Sequence, residues 1–521
     1  MAYQSFRDFL NALDKAAELI RCTDPIATEL EITELADRQM KSPGGGKALL
    51  IEKPTVNGLL SPFPVVINAM GSFRRMALAL GAESLDALAG EIAGIVKAKP
   101  PISVRDALKL LSTALELRHT RPKMVANGPC REVIHTFDPK PTRTEPWPEA
   151  PTISDSQIQS RSPVPTLLNL PILKCWPLDA GRFITLPCVV TKDPETGTRN
   201  VGMYRMQVYD PETTGMHWQL QKVAARHARR YYDRGERMPV AVFLGGDPAF
   251  TFAATAPLPD DFDEFLLAGF LRKRSVELVR CVTCPLEVPA DADIVIEGYI
   301  DPREPLRMEG PFGDHTGYYS LPEPYPVFHI TAITHRKEAV YPATVVGIPP
   351  MEDFYIGTAA VKLFLPILKM NFPELVDIAL PPEGVFHNLV FASIRKTYPM
   401  QAYKIMHGLW GMGQMMFSKY IVVVDDDVDV HNTSEVIFRL CANTDPQRDC
   451  IFTKGPADVL DHATPEIGLG TKLGFDATRK LPGEGFKRPW PPIIKMDAEV
   501  KARIDQMFSS LGPRPEPTRR S

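Results

Sequence analysis

The sequence predicts a mixed α/β protein of more than one domain, with a barrel or a strongly bent β-sheet at its centre. Its 521 residues exceed what a single hydrophobic core usually organises. Short β-type runs separated by polar turns dominate residues 167–334, a pattern typical of barrels and bent sheets. On both sides of this region, strand-like runs alternate with segments of helical periodicity, which indicates α/β layers.

The N-terminal region, which we place at 1–120, begins with a predicted amphipathic helix over residues 1–21. Ser5, with Asp8 three residues later, is a candidate cap for that helix. A strand over 65–68 and a helix over 85–96 follow. These elements predict an α/β layer ahead of the central sheet.

The middle region, placed at 121–335, starts with a stretch rich in Pro, Thr and acidic residues that we take as a domain boundary. Its β-type runs predict strands over 182–191, 201–209, 238–244, 294–300 and 327–334. Two helical stretches, 218–234 and 261–272, interrupt them.

The C-terminal region, 336–521, returns to alternating strands and helices and is predicted to be a third, α/β domain. A helix over 359–365 should end at Pro366, since proline disrupts a helix interior. An apolar strand is predicted over 420–424, and a last helix over 497–511 precedes a Pro/Arg tail.

Charge and composition exclude two classes of partner. Lys and Arg total 59 against 63 Asp and Glu, a net charge of −4 that is too balanced for nucleic-acid binding by bulk electrostatics. No apolar run approaches the ~20 residues of a membrane span, and the first residues do not form a signal peptide. Eight scattered cysteines with one CxxC, at Cys281 and Cys284, favour reduced thiols and a cytoplasmic location.

The most informative segment is EGPFGDHTGYYS at 309–320, which sets Glu309 and Asp314 five residues apart among three glycines. Glycine permits a tight fold that turns both acids toward one point. When like charges share a poorly solvated site, one proton is held more tightly, which predicts a donor beside a charged partner. The alternative is a surface loop with ordinary acids.

Arg205 lies in an apolar strand-like run, where a guanidinium needs an anion unless it reaches solvent at a sheet edge. The candidate anions are Glu309, Asp314, a substrate carboxylate or a cofactor phosphate. Asn200 and Glu264 offer hard oxygen atoms that suit Mg²⁺ or Mn²⁺, although a surface position for Glu264 is the alternative. Lys419 is a candidate phosphate ligand or a solvated lysine.

These residues fall in motifs that resemble the UbiD family of decarboxylases. The matching motifs are EGPFGDHTGYYS, the 200–205 segment, LEVPA at 286–290 with IVIEG at 294–298, and PPEG at 381–384. The resemblance covers about 6–480. Within the family, GMYR, GMHW and MED, at 202–205, 215–218 and 351–353, are most similar to the menaquinone biosynthesis decarboxylase branch of the futalosine route.

The resemblance implies a central split β-barrel that binds a flavin, flanked by an N-terminal α/β region and a C-terminal α/β domain that dimerises. It implies prenylated FMN, supplied by a separate flavin prenyltransferase, and reversible non-oxidative decarboxylation of an aromatic acid through a covalent adduct with that cofactor. Arg205, Glu309 and Asp314 would be the catalytic residues, with Asp314 as proton donor and Glu309 paired to Arg205.

Carried over by motif, the cofactor would contact Asn200, Gly202, Tyr204, Arg205 and Lys419. A divalent metal, Mn²⁺ or Mg²⁺, with K⁺ as a further candidate ion, would bind Asn200, Gln221 and Glu264.

Gln221 departs from the family pattern, in which a histidine stands about 21 residues beyond the asparagine. A glutamine amide oxygen is a weaker ligand for Mn²⁺ than imidazole. His217 and His227 are the alternatives, and His217 would share a helical face with Gln221.

Two functions therefore stand. The first is a decarboxylase for a dihydroxynaphthoate or a hydroxybenzoate, active as a homodimer or higher homo-oligomer. The second is a non-catalytic partner subunit of a multi-protein carboxylase or decarboxylase complex, which the altered position 221 permits.

Overall fold

The computed structural model describes residues 2–97, 120–147 and 166–511 of the chain. The helices in these residues are α1 (Phe6–Lys15), α2 (Glu31–Met40), α3 (Phe73–Ala79), α4 (Leu85–Val96), α5 (Val223–Arg234), α6 (Pro248–Thr255), α7 (Glu264–Arg272), α8 (Glu352–Asn371), α9 (Gln401–Trp410), α10 (Thr433–Asn443), α11 (Pro446–Asp449) and α12 (Ala498–Leu511). Part of the predicted boundary, 148–165, and most of the Pro/Arg tail lie outside the described residues.

The first twelve strands are β1 (Leu19–Ala27), β2 (Ala48–Val56), β3 (Leu59–Leu60), β4 (Val65–Ile67), β5 (Lys123–Met124), β6 (Val133–Thr136), β7 (Phe183–Ile184), β8 (Cys188–Lys192), β9 (Arg199–Met203), β10 (Met206–Asp210), β11 (Thr213–Gly215) and β12 (Met238–Leu244). The remaining strands are β13 (Glu277–Arg280), β14 (Glu287–Pro289), β15 (Ile294–Ile300), β16 (Arg307–Glu309), β17 (Glu323–Tyr325), β18 (Val327–His335), β19 (Tyr341–Pro342), β20 (Leu375–Ala379), β21 (Leu389–Ile394), β22 (Tyr420–Asp425), β23 (Cys450–Pro456) and β24 (Leu469–Asp476).

The N-terminal layer is a five-stranded sheet in the order β1-β2-β4-β19, with β3 on β2. As predicted, Ser5 caps α1 by accepting the Asp8 N–H, and the helix buries Phe6 and Phe9. The predicted extension of this helix to residue 21 is wrong, because the chain from Leu19 pairs with β2 in a parallel ladder. β19 joins this sheet although it follows the central one in sequence, and the domain boundaries at 120 and 335 stay a prediction.

The central sheet has nine strands in the order β7-β10-β11-β18-β15-β12-β8-β9, with β6 on β18. β9 and β10 are six strand spacings apart in that order, which in a flat sheet would separate them by about 29 Å. The chain passes from Met203 to Met206 through two residues, a span of at most about 11 Å. The sheet must therefore curl until β9 approaches β10, which confirms the predicted bent sheet.

Four predictions for the middle region are wrong in detail. The run 182–191 is divided between β7 and β8, and the helix predicted over 261–272 begins at Glu264. The run 201–209 is divided between β9 and β10, because the chain crosses the mouth of the curled sheet at Tyr204 and Arg205. The helix predicted over 218–234 begins at Val223, preceded by Lys222 in an extended conformation. His217 consequently lies outside the helix and does not share a helical face with Gln221.

The C-terminal layer is a five-stranded sheet in the order β20-β21-β22-β24-β23, whose strand β22 contains the predicted 420–424 run. The predicted stop at Pro366 is wrong, because α8 continues through it to Asn371. Burial of a helix face that includes Tyr355, Ala359 and Leu363 outweighs the hydrogen bond that proline cannot make. Nowhere in the described residues does a helix combine the length and apolar character that a membrane crossing requires.

Candidate active site

The site lies where the chain crosses from β9 to β10. Tyr204 and Arg205 belong to neither strand, so strand alternation does not decide where their side chains point. β16 ends at Glu309, and the glycine-rich segment that follows brings Asp314 to the same place. The predicted convergence of Arg205, Glu309 and Asp314 is present in the structure.

Arg205 binds both acids at once. Its Nε donates to Glu309 Oε1 at 2.8 Å and its Nη2 to Glu309 Oε2 at 2.9 Å, a bidentate arrangement. Its Nη1 donates to Asp314 Oδ2, and Nη2 also reaches Ser320 Oγ at 3.2 Å. The guanidinium carbon lies 4.8 Å from the centre of the Phe312 ring. These contacts hold the guanidinium rigidly between the two carboxylates.

Two positions of the segment favour glycine, Gly310 for its backbone conformation and Gly313 for close packing. Gly310 has φ of +91°, a conformation that favours glycine, and its N–H donates to Gln207 Oε1 at 2.8 Å. A Cβ on Gly313 would lie 2.2 Å from Trp176 Cδ1. The N–H of Gly313 donates to Asp179 Oδ1 at 2.7 Å. These contacts turn the backbone so that both acids face Arg205.

The pKa values of Glu309 and Asp314 differ from the sequence prediction. Burial alone would raise the pKa of Glu309, but the charge and hydrogen bonds of Arg205 outweigh it and lower that pKa to about 2. The pKa of Asp314 also falls well below its usual range, because Arg205 and His315 outweigh burial. Neither acid holds a proton at neutral pH in this arrangement, since a guanidinium lies between them. The expected proton-holding acid is therefore not found in this conformation.

Two histidines complete the surroundings of the acids. His217 Nδ1 lies 3.2 Å from Glu309 Oε2, while its buried Nε2 finds no partner in the described part of the chain. His315 Nδ1 lies 2.9 Å from Asp314 Oδ1. Sequence reasoning considered His217 only as a metal ligand and did not consider His315, although its position next to Asp314 was an available signal.

Asn200 and Glu264 lie close together, because Glu264 is hydrogen-bonded to the residue that follows Asn200. Glu264, the first residue of α7, accepts the Val201 N–H at 2.7 Å, next to the buried Asn200 on β9. Asn200 Nδ2 has no hydrogen-bond partner among the described residues. Burial raises the pKa of Glu264 to about 8. Glu264 is half-buried, and no cation among the described residues pairs with its carboxyl. Such a carboxyl beside an unsatisfied amide fits a hard divalent cation and a ligand that accepts hydrogen bonds.

Gly202 and Tyr204 pack on each other between these groups and Arg205. A Cβ on Gly202 would lie 2.3 Å from Tyr204 Oη, so only glycine leaves room for the ring. Burial raises the pKa of Tyr204 to about 12. The roles of Gly202 and Tyr204 in cofactor binding stay predictions.

The remaining predicted ligands lie in other contacts. The exposed Gln221 donates to Gln219 Oε1 at 2.6 Å. His227 lies 3.0 Å from Thr191 Oγ1 in the interior. Lys419 pairs with Asp461 at 2.6 Å. Their assignment to metal or phosphate stays a prediction.

The mouth of the curled sheet thus holds a guanidinium between two buried carboxylates. Models of 3-octaprenyl-4-hydroxybenzoate carboxy-lyase match three stretches of the chain: the N-terminal domain at 10–92, the Rift-related domain at 150–349 and the C-terminal domain at 354–477. The chain belongs to the UbiD family of carboxy-lyases, as its motifs predicted.

Two relatives cover nearly the whole chain. A protein of Archaeoglobus fulgidus is 46% identical over 98% of this chain and 99% of its own length. A protein of Aquifex aeolicus is 44% identical, again over 98% of this chain and 99% of its own length. Both are uncharacterized proteins, so the menaquinone branch stays a prediction.

Solved structures show the same architecture. The closed form of vanillic acid decarboxylase from Sedimentibacter hydroxybenzoicus has a TM-score of 0.80 at 25% identity, over 98% of this chain and 100% of its own. An open form of that enzyme has a TM-score of 0.74 at the same identity and coverage. The UbiD-class enzyme HmfF from Pelotomaculum thermopropionicum, in complex with FMN, has a TM-score of 0.73 at 25% identity, over 96% and 99%. The predicted fold class is confirmed.

Proposed function

We propose that this protein decarboxylates an aromatic acid reversibly and without net oxidation, using prenylated FMN bound in the curled sheet. The observation that carries the proposal is the contact of Arg205 with both Glu309 and Asp314. All three polar groups are nearly excluded from water, so charge that develops beside them meets fixed partners.

The residues of the site have separate tasks in this proposal. Arg205 binds and orients negative charge, while its bidentate pair with Glu309 fixes the guanidinium in one plane. Asp314 delivers a proton to the carbon that loses CO₂. To do so, its carboxylate must first move away from Arg205 Nη1. Prenylated FMN, when bound, supplies an electron sink, because CO₂ loss from an sp² carbon leaves charge in the ring plane that the aromatic π-system cannot absorb.

Asn200 and Glu264 are the residues of this chain that would hold a divalent metal, Mn²⁺ or Mg²⁺, against the cofactor phosphate. The unsatisfied Asn200 amide and the uncompensated Glu264 carboxyl support this assignment. Gln221 as third ligand, Lys419 at the phosphate and K⁺ as a further ion belong to the same proposal. Structures of HmfF in complex with FMN and with prFMN support the cofactor, and a flavin prenyltransferase would supply it.

As physiological acid we propose a dihydroxynaphthoate in menaquinone biosynthesis, or a smaller hydroxybenzoate. The first rests on the motifs at 202–205, 215–218 and 351–353; the second is supported by the vanillic acid decarboxylase likeness. A cytoplasmic location belongs to the proposal too, supported by the eight free cysteines.

We propose a homodimer or higher homo-oligomer. Helix α12 exposes Ile504 and Phe508, four residues apart on one face, at 38% and 46% of their surfaces. A second copy of the chain would cover this face. The evolved dimeric form of HmfF supports an oligomer in this family.

The test is expression together with a flavin prenyltransferase, followed by screening dihydroxynaphthoates and hydroxybenzoates for CO₂ release. Glu309→Gln and Asp314→Asn should retain the flavin absorbance and lose turnover by about 10²- to 10⁴-fold. Glu304→Gln is a matched control, because Glu304 is a buried carboxylate that pairs with His329 at 2.6 Å outside this cluster. Its turnover should stay close to that of the wild type.

Two results would contradict the proposal differently. Wild-type turnover in cofactor-loaded Glu309→Gln and Asp314→Asn refutes the residue roles. A colourless, metal-free wild-type protein after co-expression favours the partner-subunit function instead.

A further inference from the structure

The site described so far does not provide a source for the proton that Asp314 must deliver. Asp314 is charged in the observed conformation, yet decarboxylation must place one proton on the carbon that loses CO₂. Asp314 Oδ2 is bound by Arg205, and Oδ1 accepts both the backbone N–H of His315, at 2.7 Å, and its Nδ1–H. The imidazole of His315 is thus the nearest group that can hand a proton to Asp314.

His315 is the first residue of a chain of ionisable groups that leads into the C-terminal layer. Its Nε2 lies 2.6 Å from His387 Nε2, a distance that requires a proton between the two rings. Asp458 Oδ2 lies 3.4 Å from His387 Nε2 and 3.9 Å from His315 Nε2. The two rings therefore lie between two carboxylates, Asp314 on one side and Asp458 on the other.

We propose that His315 stores the proton that replaces the carboxyl group and passes it to Asp314, and that His387 and Asp458 hold its ring for this task. The inference rests on the decarboxylation proposed above. His315 acts through Asp314 and is a positioning residue rather than a catalytic one.

The step balances in atoms and charge. The Nδ1 proton of charged His315 moves to Asp314 Oδ1, and Asp314 gives it to the carbon. The bond to the carboxyl carbon breaks, its electron pair stays with the substrate carbon and forms the new C–H bond, and CO₂ leaves. His315 remains neutral with a proton on Nε2 and regains the second proton from water between turnovers.

The charges around the rings favour this distribution. Burial lowers the pKa of His315, but the hydrogen bond to Asp314 and the charges of Asp314, Asp458 and Asp353 raise it to about 9. Burial and the neighbouring charge of His315 lower the pKa of His387 to about 4, so His387 accepts the hydrogen bond as a neutral ring. The ionisable groups that face the pair are Asp314, Asp353 and Asp458 around His315, and Asp458, Asp461 and Lys222 around His387.

The three residues that hold this proton, His315, His387 and Asp458, come from parts of the chain that are far apart in sequence. His315 follows β16, His387 precedes β21, and Asp458 follows β23. Gln219 Nε2, from the central region, also reaches Asp458 Oδ1 at 3.4 Å. These contacts join the C-terminal layer to the segment that carries Asp314.

The test combines two measurements. First, the imidazole signals of His315 in the cofactor-free protein are followed by NMR against pH, with His315→Gln to assign them. We expect a pKa near 9 that falls in Asp458→Asn, because the charge of Asp458 is one of those that raise it. A wild-type His315 that titrates near 6.5, the usual value for histidine, would overturn the inference whether or not the protein is a decarboxylase.

Second, the pH dependence of kcat is measured on the cofactor-loaded enzyme. Wild-type kcat should fall above about pH 9 as His315 loses its proton, and Asp458→Asn should move this limb to lower pH. His315→Gln should lower kcat by at least about 10-fold and remove the limb, with KM little changed. His431→Gln is the matched control, because His431 also pairs with an aspartate, Asp377 at 3.1 Å, at the surface. Melting curves establish that each variant is folded.

If the fall of kcat at alkaline pH is the same in wild type, His315→Gln and Asp458→Asn, the proposal that His315 stores the proton is rejected. A loaded wild-type enzyme that releases CO₂ from no acid would instead reject the proposed function, and the NMR titration would still decide the charge of His315.

Discussion

Removing the guanidinium between two buried acids has a calculable effect on stability. In Arg205→Met the side chain keeps an unbranched apolar stem and loses the guanidinium with its charge, while Glu309 and Asp314 stay buried at 0% and 6% exposure. Breaking a buried ion pair by removing one partner costs about 3 to 5 kcal/mol, because an uncompensated charge remains. We expect this loss at pH 7, measured by urea unfolding followed through tryptophan fluorescence, since Trp176 packs against Gly313.

The pH dependence gives the sharper test. In the wild type the folded-state pKa of Glu309 is lowered to about 2, so its stabilising effect is complete above the unfolded value near 4.5 and is lost only as pH falls from there toward 2. In Arg205→Met the pKa of at least one of these acids should rise above the unfolded value. Such an acid binds a proton in the folded state first, so lowering the pH from 7 to 5 should restore up to about 1.4 kcal/mol per pH unit.

A matched control separates stability from chemistry. Arg272 is also buried, and it donates to Asp247 and Asp291 at 2.8 Å each. Arg272→Met should lose comparable stability yet keep the turnover of the molecules that remain folded and loaded with cofactor. If the stability deficit of Arg205→Met is the same at pH 5 and pH 7, the assignment of buried, uncompensated carboxylates is refuted.

Three further predictions concern other parts of the molecule. Mn²⁺ affinity of the cofactor-free protein, measured by EPR titration, should rise with pH by up to about tenfold per unit between pH 6 and 8, because Glu264 must lose its proton to bind the ion. Glu264→Gln should remove that slope; an unchanged slope contradicts the metal assignment. Gly298→Ala should cost about 3 kcal/mol or more of stability, since its Cβ would lie 1.9 Å from the His329 carbonyl oxygen, whereas Gly90→Ala, with open space in α4, should be neutral or stabilising. Phe508→Glu should dissociate the oligomer in light scattering; an unchanged molar mass would show that α12 is not the interface.

Local pattern was sufficient for many elements of this fold. The helix at 85–96 and the strands at 238–244 and 294–300 have the predicted bounds, because periodicity and burial act within a few residues. The same reasoning failed at Pro366, where packing of α8 outweighed a local rule. It also failed at Tyr204 and Arg205, where the closure of the sheet interrupts one apolar run.

Part of the site followed from chemistry written in the chain. A guanidinium in an apolar run requires an anion, and the glycine-rich 309–320 segment offered two acids that could reach it. This reasoning found Arg205, Glu309 and Asp314 without any knowledge of distance. It did not foresee that the guanidinium would lie between the acids and lower the pKa of both.

The sequence by itself determined which residue types carry acid–base chemistry and which segments form strands and helices, because these properties depend on near neighbours. Tertiary structure decided which groups meet: His217 with Glu309, and His315 with His387 and Asp458. These partners are separated by 70 or more positions, and only the curl of the central sheet and the placement of the C-terminal layer bring them together. The strength of a hydrogen bond or an ion pair depends on distance in space, which sequence spacing does not encode.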